Sequence, residues 1–226
     1  MSTTAFLDKV PLFRGLPKQH LEELAMIATE QEYQRGQEIF AEGDEATGLF
    51  IVSSGQVKIS KISAEGKEQI LHIFGPYEPF AEAAVFTGSS YPAYATALCP
   101  SRVVFIPRAG FLELLKANPE LSMNLLATLS KRLKHFSRMI EDLSLKEVPG
   151  RLAAHLLLLD AQQGGGGTVR LPVAKSQLAG LLGTIPETLS RILQRMAAAG
   201  LIRVQGPEIE LLDLERLRDL AQGEKL

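Results

Sequence analysis

The order of apolar and polar positions changes character twice along the chain. Between residues 5 and 30, Leu21, Leu24, Ala25 and Ile27 recur at helical spacing behind Pro17, which predicts short helices, one of them opening at that proline. From Glu32 the period becomes that of strands. Segments 38–40, 48–52, 56–62, 69–74, 93–98 and 102–106 are short, rich in β-branched or aromatic residues, and separated by Gly, Pro and Asp. That pattern predicts an antiparallel β roll or barrel, with Gly36, Gly43, Gly55, Gly66 and Gly75 at its corners and residues 64–67 as a charged hairpin tip.

Beyond Pro107 the pattern is helical again. Leu126, Leu129, Leu133, Phe136, Ile140 and Leu143 follow one another at alternating steps of three and four, a heptad seam. The seam is short for an independent coiled coil, but a seam attached to a folded domain can join two subunits, so a C2 homodimer is expected. The alternative is a helix packed on its own roll. Val148-Pro149-Gly150 is expected to end this helix and serve as a hinge. An apolar helix over 151–161 follows, then Gln162-Gln-Gly-Gly-Gly-Gly167 as a flexible connector.

From Leu171 the sequence predicts a short strand, a helix with Ser176 as N-cap, and a stop at Gly183. A second helix starts near residues 184–186, with Pro186 where a missing amide costs nothing, and runs to about Gly200. Two helices joined by a tight turn form a helix-turn-helix. Small Ala179 permits close crossing, and Leu178, Leu182, Leu189, Ile192 and Leu193 supply the shared core. Residues 201–204 and 208–212 read as a two-stranded wing.

On the second helix Glu187, Ser190, Arg191 and Gln194 form one polar stripe opposite the Leu and Ile face. Arg can bond guanine bidentately and a carboxylate can accept from the cytosine amine, so the stripe has the chemistry of direct base readout. Thr188 lies beside it, and Lys175 and Arg195 are candidates for phosphate contacts. Two plainer readings compete: an i,i+4 ion pair between Glu187 and Arg191, and a capping box from Thr184 to Glu187.

The chain has 226 residues and a formal charge of -2, which argues against nonspecific coating of nucleic acid but leaves room for a local basic face. No basic stretch precedes an apolar run at the N-terminus and no segment reaches the length of a membrane span, so a cytoplasmic protein without membrane contact is expected. Cys99 stands alone, which excludes an internal disulfide and an iron–sulfur cluster. No nucleophile elbow, phosphate-binding glycine loop or His-Glu metal helix is present, so no enzyme activity is expected. The fold class is α+β: a β-roll sensor over 1–116, a dimerisation helix over 117–147 and a winged helix-turn-helix over 148–226.

With Gly183-Thr-Ile-Pro-Glu-Thr-Leu-Ser-Arg191 and Gly48-Leu-Phe-Ile-Val-Ser-Ser-Gly55 in this order of domains, the chain resembles the CRP/FNR family of bacterial regulators. Glu187-x-x-Ser190-Arg191 matches the reading triplet of the FNR-like branch, which implies palindromic double-stranded DNA with TTGA-type half-sites, and RNA polymerase as a partner. The resemblance also implies an effector pocket around Phe80, Ala81, Glu82, Ser90 and Tyr91 in a cyclic-nucleotide-binding-like roll. Here the chain departs from the family. Cyclic-AMP binders write Gly-Glu-x-Gly where this chain has Ala81-Glu-Ala-Ala84, and residues 89–93 hold no cation for a phosphate. Burial of an unpaired phosphate is costly, which argues against cyclic AMP in the usual mode. Phe80-Ala-Glu-Ala and Pro186-Glu-Thr look most like the nitric-oxide-responsive haem regulators of the DNR and HcpR type. Haem then needs an axial ligand from His20, His72, His135 or His155, with Met139 one turn beyond His135; His135, His155 and Met139 are the candidates carried forward, and an unidentified small molecule is the competing effector.

Overall fold

A computed structural model describes residues 2–88 and 90–226, with Thr87 described by its backbone. Met1 and Ser89 lie outside the described residues. The chain forms two compact units, one of residues up to Lys61 together with Leu71–Lys134, the other of Ile62–Ile70 together with His135–Leu226.

The first unit opens with α1 (Thr3–Leu7), a 3-10 turn (Pro11–Phe13) and α2 (Lys18–Ile27), which Pro17 caps as its missing amide allows. Strands follow: β1 (Thr29–Tyr33), β2 (Glu38–Phe40), β3 (Gly48–Ser54), β4 (Val57–Ile62), β5 (Glu68–Phe74), β6 (Pro79–Phe80), β7 (Tyr94–Ala97) and β8 (Ser101–Pro107). They form two four-stranded sheets, in the orders β1-β8-β3-β6 and β2-β7-β4-β5. A short helix α3 (Glu82–Thr87) interrupts the strands after β6, and it is the element that the strand-like pattern conceals.

Strand β3 is apolar without alternation because both of its faces are buried. Phe50 and Val52 join a cluster with Phe40, Phe74, Phe80, Tyr91 and Val103 inside the roll. Leu49 and Ile51 instead pack with Leu21, Leu24, Phe111 and Leu121 from the surrounding helices. The corner glycines Gly36, Gly43, Gly55 and Gly66 take positive φ, whereas Gly75 does not; its amide donates to Glu78 Oε2.

Helix α4 (Arg108–Ala117) leads to α5 (Pro119–Leu145), which carries the seam. Leu126, Leu133 and Ile140 are 57%, 68% and 66% exposed, while Leu129 packs partly against the core of the first unit. The expected hinge is placed differently. Helix α6 (Val148–Gln162) already includes Pro149 in its first turn and Gly150 inside it, so the break between helices falls at Lys146 and Glu147. Gly150 serves packing: a Cβ there would lie 2.7 Å from the carbonyl oxygen of Leu220, in α9 (Leu214–Ala221).

The glycine run is also no loose connector. Asp160 holds it as a turn, its carbonyl accepting from the Gly165 amide and its Oδ1 from the Gly167 amide, each at 2.8 Å. The strand expected from Leu171 ends just before it, as β9 (Thr168–Arg170). The wing strands β10 (Ile202–Gln205) and β11 (Glu208–Leu211) then form a three-stranded sheet in the order β10-β11-β9 rather than an isolated pair.

Replacing Gly150 by Ala forces a methyl against the Leu220 carbonyl. We expect a loss of about 1–3 kcal/mol, read as a lower denaturation midpoint for the second unit. An unchanged midpoint would show that the α6–α9 crossing relaxes freely.

Candidate nucleic-acid interface and sensor pocket

The reading head is built from α7 (Lys175–Leu181) and α8 (Pro186–Ala198). Helix α7 starts one residue before the expected cap: Ala174 is its N-cap, with no side-chain hydrogen bond, and exposed Ser176 is already helical. Gly183 ends it at φ +65, a conformation that costs other residues about 1–2 kcal/mol. A Cβ there would also fall 2.6 Å from Leu143 Cδ2 and 2.8 Å from Gln69 Oε1, all three residues belonging to the second unit. Ala179, Leu178, Leu182, Leu189, Ile192 and Leu193 are buried in one core, as the sequence pattern requires.

Helix α8 begins at Pro186 with Ile185 as N-cap and no side-chain cap, so the capping box from Thr184 to Glu187 does not form. Nor does the i,i+4 ion pair: among the described residues, Glu187 and Arg191 make no salt bridge. Glu187, Ser190, Arg191, Gln194 and Arg195 are exposed and Thr188 is half-buried. The stripe therefore presents unspent donors and acceptors outward.

Two grooves flank it. On the wing side, Lys175, Ser190 and Gln194 line about 580 Å³ together with Arg203 and Val204. On the other side, Thr188, Arg191 and Arg195 line about 480 Å³ with Glu147 and Arg151 from the start of α6. Arg151 and Arg203 escape a reading based on the recognition helix alone. Arg203 could have been found from its wing position opposite Glu210, with which it pairs at 2.5 Å. Arg151 has no such signal, since it reaches the groove only through the fold. It also donates to the carbonyls of Lys146 at 2.9 Å and Leu143 at 3.4 Å, capping the end of α5.

In the roll, Phe80, Glu82 and Tyr91 are buried, and Ser90 bridges to Glu45. Ala81 sits at φ 64, in the left-handed region, and from there α3 begins with the Glu82 side chain completely enclosed. Arg132 of α5 supplies a cation, binding Glu82 Oε1 through Nη1 and the Pro79 carbonyl through Nη2, with its guanidinium 4.8 Å from the centre of the Phe74 ring. Tyr91 stacks on Phe40 at 3.9 Å between centroids, and its hydroxyl donates to the Gly48 carbonyl at 2.9 Å while accepting from the Gly48 amide at 3.3 Å.

Residues 30–118 match the cyclic nucleotide-binding domain family, and residues 150–220 match the Crp-like helix-turn-helix domain. The CRP-like cAMP-activated global transcriptional regulator of Mycobacterium tuberculosis is 32% identical over 215 residues, which cover 93% of this chain and 96% of that protein. This chain belongs to the CRP/FNR family of transcriptional regulators. The fumarate and nitrate reduction regulatory protein of Vibrio cholerae is also 32% identical, over 87% of this chain and 80% of its own. Among solved structures, FixK2 from Bradyrhizobium japonicum superposes with a TM-score of 0.73 at 25% identity, covering 88% of this chain and 99% of that one.

The family and the resemblance to haem regulators bring two ligands into question, a cyclic nucleotide and haem. For a cyclic nucleotide, residues 90–93 offer no cation, Ser89 lying outside the described residues, and Tyr91 is bonded to Gly48; Arg132 meets Glu82 Oε1, while Glu82 Oε2 is buried without a hydrogen-bond partner among the described residues. For haem, His72 lies edge-on to Phe74 of the roll's aromatic cluster, with ring centroids 4.5 Å apart. His135 is exposed on α5 beside Phe136, and Met139 is half-buried one turn on. His155 lies on α6 in the second unit, where burial lowers its pKa and its Nε2 is closed off from solvent. Among the described residues no group of three or more His, Cys, Asp or Glu could hold a metal ion, and no helix is long and apolar enough to cross a membrane.

Ala81 pays for its left-handed backbone without gaining the glycine's freedom. Ala81→Gly should raise the stability of the roll by about 0.5–1 kcal/mol, measured as an upward shift of its unfolding midpoint. A fall would mean that the Ala81 methyl, which packs partly against the aromatic cluster, outweighs the strain.

Proposed function

We propose that this CRP/FNR regulator works in the cytoplasm as a homodimer that reads a palindrome of TTGA-type half-sites and acts there on RNA polymerase. The observation that carries the reading is the state of Glu187 and Arg191: exposed on the first turns of α8, with no side-chain partner among the described residues, and flanked by Ser190 and Gln194. Arg191 suits guanine and Glu187 suits the cytosine amine, while Lys175, Thr188 and Arg195 suit the flanking phosphates.

The dimer follows from Leu126, Leu133, Phe136 and Ile140, apolar side chains left exposed along α5, with Leu129 and Leu143 completing the seam. A two-fold dimer sets its recognition helices about one helical turn of DNA apart, ~34 Å, as a palindrome requires. In this division of labour residues 1–116 sense, 117–147 pair the subunits and 148–226 read DNA.

Arg191→Ala should lose about 1–3 kcal/mol per half-site and relax discrimination at the matching base, measured by fluorescence anisotropy on the palindrome and on single-base variants. Undiminished discrimination would refute the assignment. Lys175→Ala should instead weaken every sequence alike and reduce the salt slope by about 1.

Haem-mediated sensing of nitric oxide is the second reading, favoured by the aromatic lining of the roll and opposed by the position of the donors. On that donor set we expect no shifted Soret band when the chain is mixed with reduced haem and exposed to nitric oxide. A band that moves with the gas would restore haem to the pocket.

A further inference from the structure

The end of α7 is closed partly from within and partly from a distance. Gly183 at φ +65 folds the chain back, so that the Thr184 amide donates to the Ala179 carbonyl at 3.0 Å and the Gly183 amide to the Gly180 carbonyl at 3.3 Å. The Leu181 carbonyl lies outside that closure. Gln69, near the start of β5, reaches it: Nε2 donates to the Leu181 carbonyl at 3.4 Å, to the Gly180 carbonyl at 3.0 Å and to the carbonyl of its neighbour Ile70 at 3.0 Å.

Two glycines make the seat for this side chain and its neighbour. A Cβ on Gly180 would fall 2.9 Å from Ile70 Cγ1 and Cδ1, and one on Gly183 would fall 2.8 Å from Gln69 Oε1. Glycine inside a helix weakens it relative to alanine, so Gly180 needs a reason, and the approach of the fully buried Ile70 supplies one. The segment Ile62–Ile70, which links β4 to β5, falls in the unit that contains α7. Only Thr184 and Ile185 separate Gly183 from Pro186, the first residue of α8. The direction in which the recognition helix leaves the turn is therefore set where Gln69 binds.

We propose that Gln69 is a positioning residue for DNA reading: from the segment between β4 and β5 it fixes the turn between α7 and α8 and so aims Glu187, Ser190 and Arg191 at the bases. This rests on the DNA-binding reading above. The full-length wild type and the variants Gln69→Glu, Gln69→Leu and Gly180→Ala are titrated by fluorescence anisotropy onto the TTGA-type palindrome and onto a scrambled duplex of the same length, and the unfolding midpoint of each protein is recorded. Gln69→Glu keeps the shape but sets an acceptor against acceptors. Gln69→Leu removes the donor, and Gly180→Ala leaves Gln69 in place while a methyl group pushes Ile70 away.

A misaimed helix loses base contacts while keeping phosphate contacts, so Gln69→Glu should bind the palindrome about tenfold more weakly and the scrambled duplex within about twofold of the wild type. Gln69→Leu and Gly180→Ala should lose less, in the same direction. A purely structural role would lower the unfolding midpoint and leave the ratio of the two affinities unchanged in the folded protein. That unchanged ratio overturns the proposal, as does tighter binding of the palindrome by any of the three variants. Should Gln69→Glu fail to fold, the ratio in Gln69→Leu and Gly180→Ala decides. If the wild type ignores the palindrome, the half-site reading fails by itself, and the same ratio is taken on the sequence that the wild type selects from a pool of random duplexes. A wild type that selects no sequence from the pool overturns both.

Discussion

A carboxylate sealed from solvent must find a cation or give up its charge, and in this protein that requirement joins the roll to the long helix. Glu82 is fully enclosed at the start of α3, and Arg132 of α5 is the group that meets it. The pairing depends on backbone geometry: Ala81 has to turn left-handed for α3 to begin with Glu82 pointing inward. It also depends on Phe74, whose ring lies against the guanidinium that the carboxylate binds. Along the same helix Leu126, Leu133 and Ile140 are exposed apolar side chains.

Close approach governs the second unit as a buried charge governs the first. Gly150 lets α6 cross the Leu220 carbonyl, and Gly183 lets the chain turn into α8 against Leu143. Arg151 adds a polar counterpart. It donates to the carbonyls of Leu143 in the last turn of α5 and of Lys146 just beyond it, and also lines the groove that holds Arg191 and Arg195. The residue that secures the joint between two helices is therefore part of the cationic surface beside the recognition helix.

The strands of the roll, the seam, the helix-turn-helix and its polar stripe were legible in the sequence because each is written as a local period. The features that were misread share a different origin. Gly150 looked like a hinge and the run 164–167 like a linker, because glycine permits both freedom and tight packing; only the Leu220 carbonyl and the Asp160 cap decide between them. Ser176 and the Thr184–Glu187 box looked like caps because their residue types favour caps, yet Ala174 and Ile185 occupy those positions. Arg132 and Arg151 carried no signal at all. Each acts on a group distant in the chain, or at a helix end whose position only the fold sets.

The departures around the roll's polar end belong together physically. Where the resemblance places two glycines this chain has Ala81 and Ala84, and residues 89–93 hold no cation. The methyl of Ala84 joins the aromatic cluster. Ala81 turns left-handed all the same, and α3 begins from it with Glu82 beside Arg132. Tyr91 can take the arginine's segment because a phenol needs only one donor and one acceptor, and Gly48 provides both. Glu82 is satisfied only in part: Arg132 meets Oε1, whereas Oε2 is buried without a hydrogen-bond partner among the described residues, so the polar end of the roll keeps an acceptor in reserve.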